Sequence, residues 1–84
     1  MACYNIMAVL INHRSRKANE VQEVLTRFGC HIKMRLGLHE AENFCSEEGL
    51  VILQLCGEKS ELESLKNELN SIKDVKAEYM ELKG

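Results

Sequence analysis

Two segments of the chain, residues 5–11 and 50–56, are apolar at nearly every position. Successive side chains of a β-strand point to opposite faces, so a continuous apolar run predicts a strand that is buried on both faces. Two other segments alternate instead, over residues 31–39 and 75–80. Alternation is typical of a strand with one buried face and one exposed face, so these two segments are predicted to be half-buried edge strands.

Two further segments have apolar residues at the spacing of a helix. The first stripe runs from residue 18 to 28 and the second from 62 to 72, consisting of Ala18, Val21, Val24, Leu25 and Phe28, and of Leu62, Leu65, Leu69 and Ile72. Ser15 is placed to cap the first helix. Ser60 and Glu63 have the spacing of a capping box, which predicts that the second helix begins there.

The predicted order is therefore βαββαβ, which indicates an α+β protein with the ferredoxin-like sandwich fold. Right-handed crossovers place the first and third strands in the centre of a four-stranded antiparallel sheet, with both helices on one face. The two doubly apolar strands are the first and third, which agrees with these central positions. We expect residues 1–84 to form a single domain of this kind.

Two helices can cover only one face of such a sheet. The other face then carries an apolar set, for example Met7, Val9 and Ile11 beside Val51, Leu53 and Leu55, although the pattern does not fix which set points outward. An apolar patch of this size is unusual on a monomer. We therefore predict a homodimer or homotetramer formed through this face or through the sheet edges. The alternative is edge pairing that leaves some apolar surface exposed.

Composition excludes several classes of partner. The formal net charge is −2 and the only aromatic residues are Tyr4, Phe28, Phe44 and Tyr79, so we expect no direct nucleic-acid binding. No apolar run approaches the roughly 18–20 residues that cross a bilayer, which argues against a membrane protein. The amino terminus lacks the features of a secretion signal, and the predicted location is cytoplasmic. Four cysteines without a C-x-x-C pair predict free thiols, with Cys30 and Cys56 as small core residues.

The turn after the first strand is basic and contains His13, Arg14, Ser15 and Arg16, followed by Lys17. It precedes a helix, where free N–H groups and the helix dipole favour an anion. These residues are the predicted effector-binding site. A solvated basic loop in which Ser15 serves as the helix cap is the alternative interpretation.

A second candidate site lies in the polar segment before the third strand. His39 and Cys45 offer an imidazole and a thiolate, which suit a transition metal such as nickel, zinc or copper. Three glutamates nearby could complete the coordination, namely Glu40, Glu42 and Glu47. A polar hairpin with an incidental His and Cys is the alternative. We expect no enzymatic activity, because the sequence has no recognisable acid–base pair or glycine-rich phosphate loop; a Cys45–His39 nucleophile is the one formal possibility.

Short motifs give the chain a family resemblance. Residues 16–18 (Arg-Lys-Ala) enter the first helix, residues 35–37 (Arg-Leu-Gly) close the second strand, and an apolar third strand follows a polar hairpin. From about residue 5 to 82 the chain resembles ACT-like regulatory domains, and among them the regulators assigned to the iron-only hydrogenase system. This resemblance implies a regulatory role in hydrogenase metabolism and effector binding near the basic turn.

The sensor domain of the nickel-responsive repressor is a second, more distant resemblance. In that family the second strand ends in an H-x-H pattern and a cysteine follows in the hairpin. His39 and Cys45 match these ligand positions, whereas Gly37 has no side chain with which to bind a metal. The repressor's DNA-reading domain has no counterpart in this chain.

Together, these features predict a small oligomeric ACT-like sensor that binds an anionic effector or a metal. A protein-interaction module, which docks a partner through the apolar sheet face and binds no small ligand, is the alternative. A thiol-based redox element is a third possibility.

Overall fold

A computed structural model describes residues 2–38 and 48–83, except for the side chains of Ala2, residues 14–16 and Leu38. The chain begins with strand β1 (Ala2–Ile11), helix α1 (Arg14–Arg27) and a short 3-10 helix (Gly29–His31). Strands β2 (Ile32–Leu38) and β3 (Gly49–Gly57) follow. Helix α2 (Lys59–Asn70) and strand β4 (Val75–Glu81) complete the order.

The four strands form one sheet in the order β2-β3-β1-β4, and every neighbouring pair is antiparallel. β1 is a central strand: Val9 is paired with Val51 of β3 on one side and with Ala77 of β4 on the other. This topology confirms the predicted ferredoxin-like βαββαβ fold. The two doubly apolar segments are the central strands, as expected from their burial on both faces.

The main core lies between the sheet and the helices. Alternate residues of β1 and β3 point toward the helices and meet the apolar stripes of α1 and α2. The most deeply buried members are Met7, Val9, Leu53, Leu55, Val21, Leu62, Leu65 and Leu69. Each such side chain contributes roughly 1.5–3 kcal/mol to folding by leaving water, so this layer accounts for most of the hydrophobic stabilisation.

The example that the sequence suggested for the outward-facing set was wrong. Met7, Val9 and Ile11, with Val51, Leu53 and Leu55, are buried beneath the helices. The opposite rows point away from the helices and form what we call the open face, to which the central strands contribute Ile6, Ala8, Leu10, Leu50 and Ile52. A strand that is apolar on both sides carries no signal about which side meets the helices, so the sequence alone could not decide.

Edge strand β2 also differs from expectation. Met34 and Leu36 lie on the open face, paired with Gln54 and Ile52, and each keeps 49% of its surface exposed. The polar row points to the helix side, where Arg35 Nη1 donates to Gln22 Oε1 of α1 at 2.6 Å. Met34 and Leu36 are therefore directed away from the core beneath the helices, whereas Ile32, before an irregularity in the pairing, packs against that core.

Both predicted helix caps were wrong. α1 begins at Arg14 after His13, and α2 begins at Lys59 after Glu58, so Ser15 and Ser60 lie inside their helices; neither helix has a side-chain cap hydrogen bond. The free carboxylate of Glu63 instead accepts a 2.5 Å hydrogen bond from Tyr79 Oη. A hydrogen bond to Tyr79 of β4 has taken the place of the local capping interaction.

The cysteines do not all follow the prediction of free thiols. Cys3 and Cys56 form a disulfide between β1 and β3. An irregularity in the pairing between Ala2 and Asn5 makes these two positions neighbours, and such a shift cannot be anticipated from strand alternation. Cys30 is a free thiol and is exposed, so it is not a core residue.

Candidate functional site

The predicted effector turn lies at one end of the sheet. β1 ends there and β3 begins there, with Gly49 paired to Ile11. β2, which is the neighbour of β3, also ends there. The basic turn, the end of β2 and the start of β3 therefore lie at the same sheet end. Arg14, Ser15 and Arg16 form the first turn of α1, which contains no acidic residue.

His13 holds the turn in an unusual backbone conformation. Its φ of 55° and ψ of 49° lie in the left-handed region, which is uncommon for residues other than glycine. The His13 carbonyl accepts a 3.2 Å hydrogen bond from the N–H of Lys17, and the N–H of Asn12 donates to Asp74 O at 2.8 Å. The turn is thus fixed to α1 and to the start of β4, and the exposed His13 side chain is held at the surface beside the helix N-terminus.

The predicted metal ligands His39 and Cys45 lie outside the described residues. Within residues 2–38 and 48–83, no group of three His, Cys, Asp or Glu side chains is arranged to hold a metal ion.

His31 lies at the opposite end of the sheet, immediately before β2. Its Nδ1 is 3.3 Å from Cys56 O, and its Nε2 is 3.6 Å from the Glu61 carboxylate. A β-carbon at Gly57 would come within 2.7 Å of the ring, so glycine makes this packing possible. His31 therefore links the start of β2, the end of β3 and the first turn of α2.

A polar cavity opens at this second end of the sheet, and sequence reasoning missed it. We call it the α2–β4 cleft; its volume is about 670 Å³, and it is lined by Asn5, Gly57, Glu58, Lys59, Leu62, Glu63, Lys66, Tyr79 and Glu81. Asn5 and Glu81 are paired on adjacent strands, and Tyr79 is the next helix-facing residue of β4. The sequence signal that could have revealed the cleft was Asn5, a polar residue at the start of the otherwise apolar inward row Asn5, Met7, Val9 and Ile11. Assigning Glu63 to a cap concealed its role here.

Tyr79 and Glu63 form the most defined interaction of the cleft. The 2.5 Å hydrogen bond to the Glu63 carboxylate, followed by partial burial, raises the pKa of Tyr79 to about 12. The phenol therefore stays protonated and continues to donate to Glu63. Lys66 Nζ is 5.9 Å from the centre of the Tyr79 ring and 3.9 Å from the Glu78 carboxylate.

Asn5 forms the buried floor of the cleft. It is only 1% exposed, and its Nδ2 donates to Leu55 O at 3.4 Å. An amide in this layer costs free energy unless its polar atoms are satisfied, whereas a leucine would not carry that cost. The sequence therefore keeps a polar group where the fold by itself favours an apolar one.

A second groove, of about 450 Å³, runs between α1 and α2. Four of the six charged side chains that line it form two ion pairs: Arg27 Nη1 lies 2.7 Å from the Glu68 carboxylate, and Lys17 Nζ lies 3.7 Å from that of Glu20. The Arg27–Glu68 pair bridges the two helices. The groove is explained by helix packing.

The fold of the chain is similar to that of two solved structures. It superposes on the uncharacterized protein TM1266 from Thermotoga maritima with a TM-score of 0.83 and 23% identity, covering 94% of this chain and 95% of that one. It also superposes on a candidate PII-like signaling protein (TTHA0516) from Thermus thermophilus with a TM-score of 0.58 and 14% identity, covering 98% and 91%. The sequence matches no protein-family model and no curated protein.

These likenesses agree with the ferredoxin-like βαββαβ fold. They do not bear on the resemblance to hydrogenase regulators or to the nickel-responsive repressor. In the part of the chain that the structure describes, no helix has the length and apolar character needed to span a bilayer.

Proposed function

We propose that this chain is a small regulatory domain that works as an assembly of its own copies and responds to a small effector. The observation that carries the proposal is the apolar open face. Its central part consists of Ile6, Ala8, Leu10, Leu50 and Ile52 together with the polar Gln54, and it extends onto both edge strands.

The orientation of β2 is the strongest support for a covered open face. In a monomer with helices on one side, the apolar residues of an edge strand are expected to point toward the helices. Met34 and Leu36 point the other way, while Arg35 points toward α1. On β4, Met80 also lies on the open face and is 58% exposed. Both edges thus add apolar surface to the side that no helix covers.

The size of the open face fits a second copy of the same chain. Four strands about 4.8 Å apart, paired over about seven residues of 3.3 Å each, span roughly 450 Å² of flat area. Two such faces bury roughly 900 Å² before side-chain roughness is counted, close to the roughly 1,000 Å² expected of a biological interface. Lys76 and Glu78 line the β4 edge, so a two-fold axis can pair each charge with its opposite.

Oligomeric state tests this part of the proposal. We expect sedimentation equilibrium to report a dimer or tetramer, and Leu36→Glu to shift it toward monomer by at least about tenfold in Kd, because a buried unpaired charge is costly. Asn19→Glu is the matched control, since it adds the same charge at an exposed position of α1. A wild-type monomer at tens of micromolar would favour the alternative role, in which the open face docks a different protein.

The proposed effector site is the basic turn of His13, Arg14, Ser15 and Arg16. It is supported by the helix N-terminus at Arg14, by the absence of acidic residues from the first turn of α1, and by the fixed backbone of His13. A small anionic metabolite is the ligand class that this charge favours. The link to iron-only hydrogenase metabolism is part of this proposal and comes from the family resemblance.

A transition metal at His39 and Cys45, nickel or zinc, is the alternative effector. Metal analysis of protein purified without chelators tests it, with His39→Ala as the variant expected to lose the metal. For the anion, thermal-shift measurements with small phosphorylated and carboxylated metabolites apply, because a ligand held only by the native state raises its stability. Arg14→Gln is expected to abolish the shift, and Arg27→Gln, at the other end of α1, to leave it unchanged.

A further inference from the structure

The helix-facing rows of β1 and β4 are apolar along most of their length and polar at one end. On β1 the row changes from Met7, Val9 and Ile11 to Asn5, and on β4 it changes from Val75 and Ala77 to Tyr79 and Glu81. Two adjacent strands thus make the same change at the same place, and the α2–β4 cleft opens there. Departures from the pattern that stabilises a fold are expected at functional sites.

We propose that the α2–β4 cleft binds a small zwitterion, a molecule with an ammonium group and a carboxylate or phosphate group a few bonds apart. Glu63 and Glu81 contact the ammonium group, and Lys59 and Lys66 contact the anionic group. Asn5 and Tyr79 form the floor between them. This site is separate from the proposed effector turn, which lies at the other end of the sheet.

The charges of the cleft support this ligand class. Carboxylates and ammonium groups line the same cavity, so a ligand with a single charge meets a like charge, whereas a zwitterion meets opposite charges at both ends. The existing pairs are loose: Lys66 is 3.9 Å from Glu78, and Glu81 is 3.8 Å from the exposed Lys83. Lys59 has no ion-pair partner among the residues that the structure describes.

The floor of the cleft is fixed in advance. Tyr79 donates to one Glu63 oxygen and so holds the carboxylate in place, which leaves the other oxygen able to accept from an ammonium group. Asn5 is held by β3 through Leu55 O. Leu62 adds an apolar contact, and a volume of about 670 Å³ lies within the range of roughly 300–1,000 Å³ typical of small-molecule sites. Preorganised groups of this kind reduce the entropic cost of binding.

Amide NMR titration tests the proposal with four zwitterions of increasing charge separation: glycine, β-alanine, 4-aminobutyrate and phosphoethanolamine. Propionate and propylamine carry one charge each and serve as ligand controls. We expect at least one zwitterion to shift the amides of residues 57–66 and 79–82 with a Kd of about 1 mM or tighter. We expect binding of both controls to be at least about tenfold weaker. A preferred chain length would report the spacing of the two charge clusters.

Variants separate this site from general effects on the protein. Asn5→Leu continues the apolar row and is expected to fold and to weaken binding at least about tenfold. Lys59→Gln, at an exposed position, is the variant to measure if Asn5→Leu does not fold. Lys73→Gln, in the groove between the helices, is the matched control and should bind as the wild type does. The proposal is overturned if none of the four zwitterions gives a saturable shift, if propionate or propylamine binds equally well, or if Lys59→Gln has no effect. None of these results depends on whether the chain assembles.

Discussion

The two faces of the sheet are similar in composition but differ in what covers them. Beneath the helices, Leu53 and Leu55 are fully buried, whereas Ile52, which precedes Leu53, is only partly buried on the open face. Residues one position apart in the sequence therefore differ in which structure their burial can stabilise. The covered face stabilises the single chain, and the open face is available to stabilise an assembly.

Truncation at neighbouring positions of β3 tests this division with the largest expected effect. Leu53→Ala leaves a cavity in the closed core and is expected to lower the free energy of unfolding by about 2–5 kcal/mol. Ile52→Ala is expected to cost the isolated chain less than half as much and to weaken self-association instead. Urea unfolding at several protein concentrations measures both. Equal losses at the two positions, independent of concentration, would show that the open face is not an interface.

The disulfide joins β1 to β3 on the open face, because Cys56 belongs to the same row as Ile52. It closes a loop of 53 residues, so the Cys3→Ser/Cys56→Ser variant is expected to lose about 2–4 kcal/mol of stability under oxidising conditions. In the presence of a reductant, the variant and the wild type should have similar midpoints of unfolding. If the midpoint of the wild type does not respond to reductant, the bridge contributes nothing to stability.

On the covered face, the Tyr79–Glu63 pair marks the boundary between the dry core and the cleft. The pKa of Tyr79 is raised to about 12 in the folded protein, above the ordinary value near 10. The folded state thus favours the protonated phenol, and this contribution is complete below pH 10 and is lost as the pH rises from 10 to 12. Tyrosine absorbance should show one late ionisation in the wild type. Glu63→Gln should move it toward pH 10, and an unchanged titration would contradict the assigned cause.

The smallest expected effect concerns the basic turn. His13 adopts a left-handed backbone conformation that glycine tolerates better, so His13→Gly is expected to raise stability by about 0.5–1 kcal/mol. His13→Ala keeps the conformational cost and is the control for loss of the imidazole. A gain for glycine together with loss of anion binding in both variants would show that the turn trades stability for function. A loss of stability in His13→Gly would show that the imidazole makes a stabilising contact.

The fold could be predicted from the sequence because several signals agreed: two doubly apolar strands, two alternating strands and two helical stripes. The local details could not. Strand parity was undetermined for segments that are apolar on both faces, and the Cys3–Cys56 pair depended on an irregular register. The α2–β4 cleft was missed because Glu63 fitted a local capping pattern, whereas its partner Tyr79 lies 16 residues away in sequence. Whether His39 and Cys45 act together remains a prediction.

The buried amide of Asn5 also fixes the alignment of the strands. If β1 slipped by one residue, Asn5 would move to the open face and Met7 and Val9 would leave the core. A slip by two residues would restore the apolar rows but carry the amide into the dry layer opposite Leu53, at a cost of about 1–3 kcal/mol for an unsatisfied polar group. One asparagine thus penalises the two-residue error that an all-apolar strand would tolerate, and it gives β1 a unique position between its two neighbours.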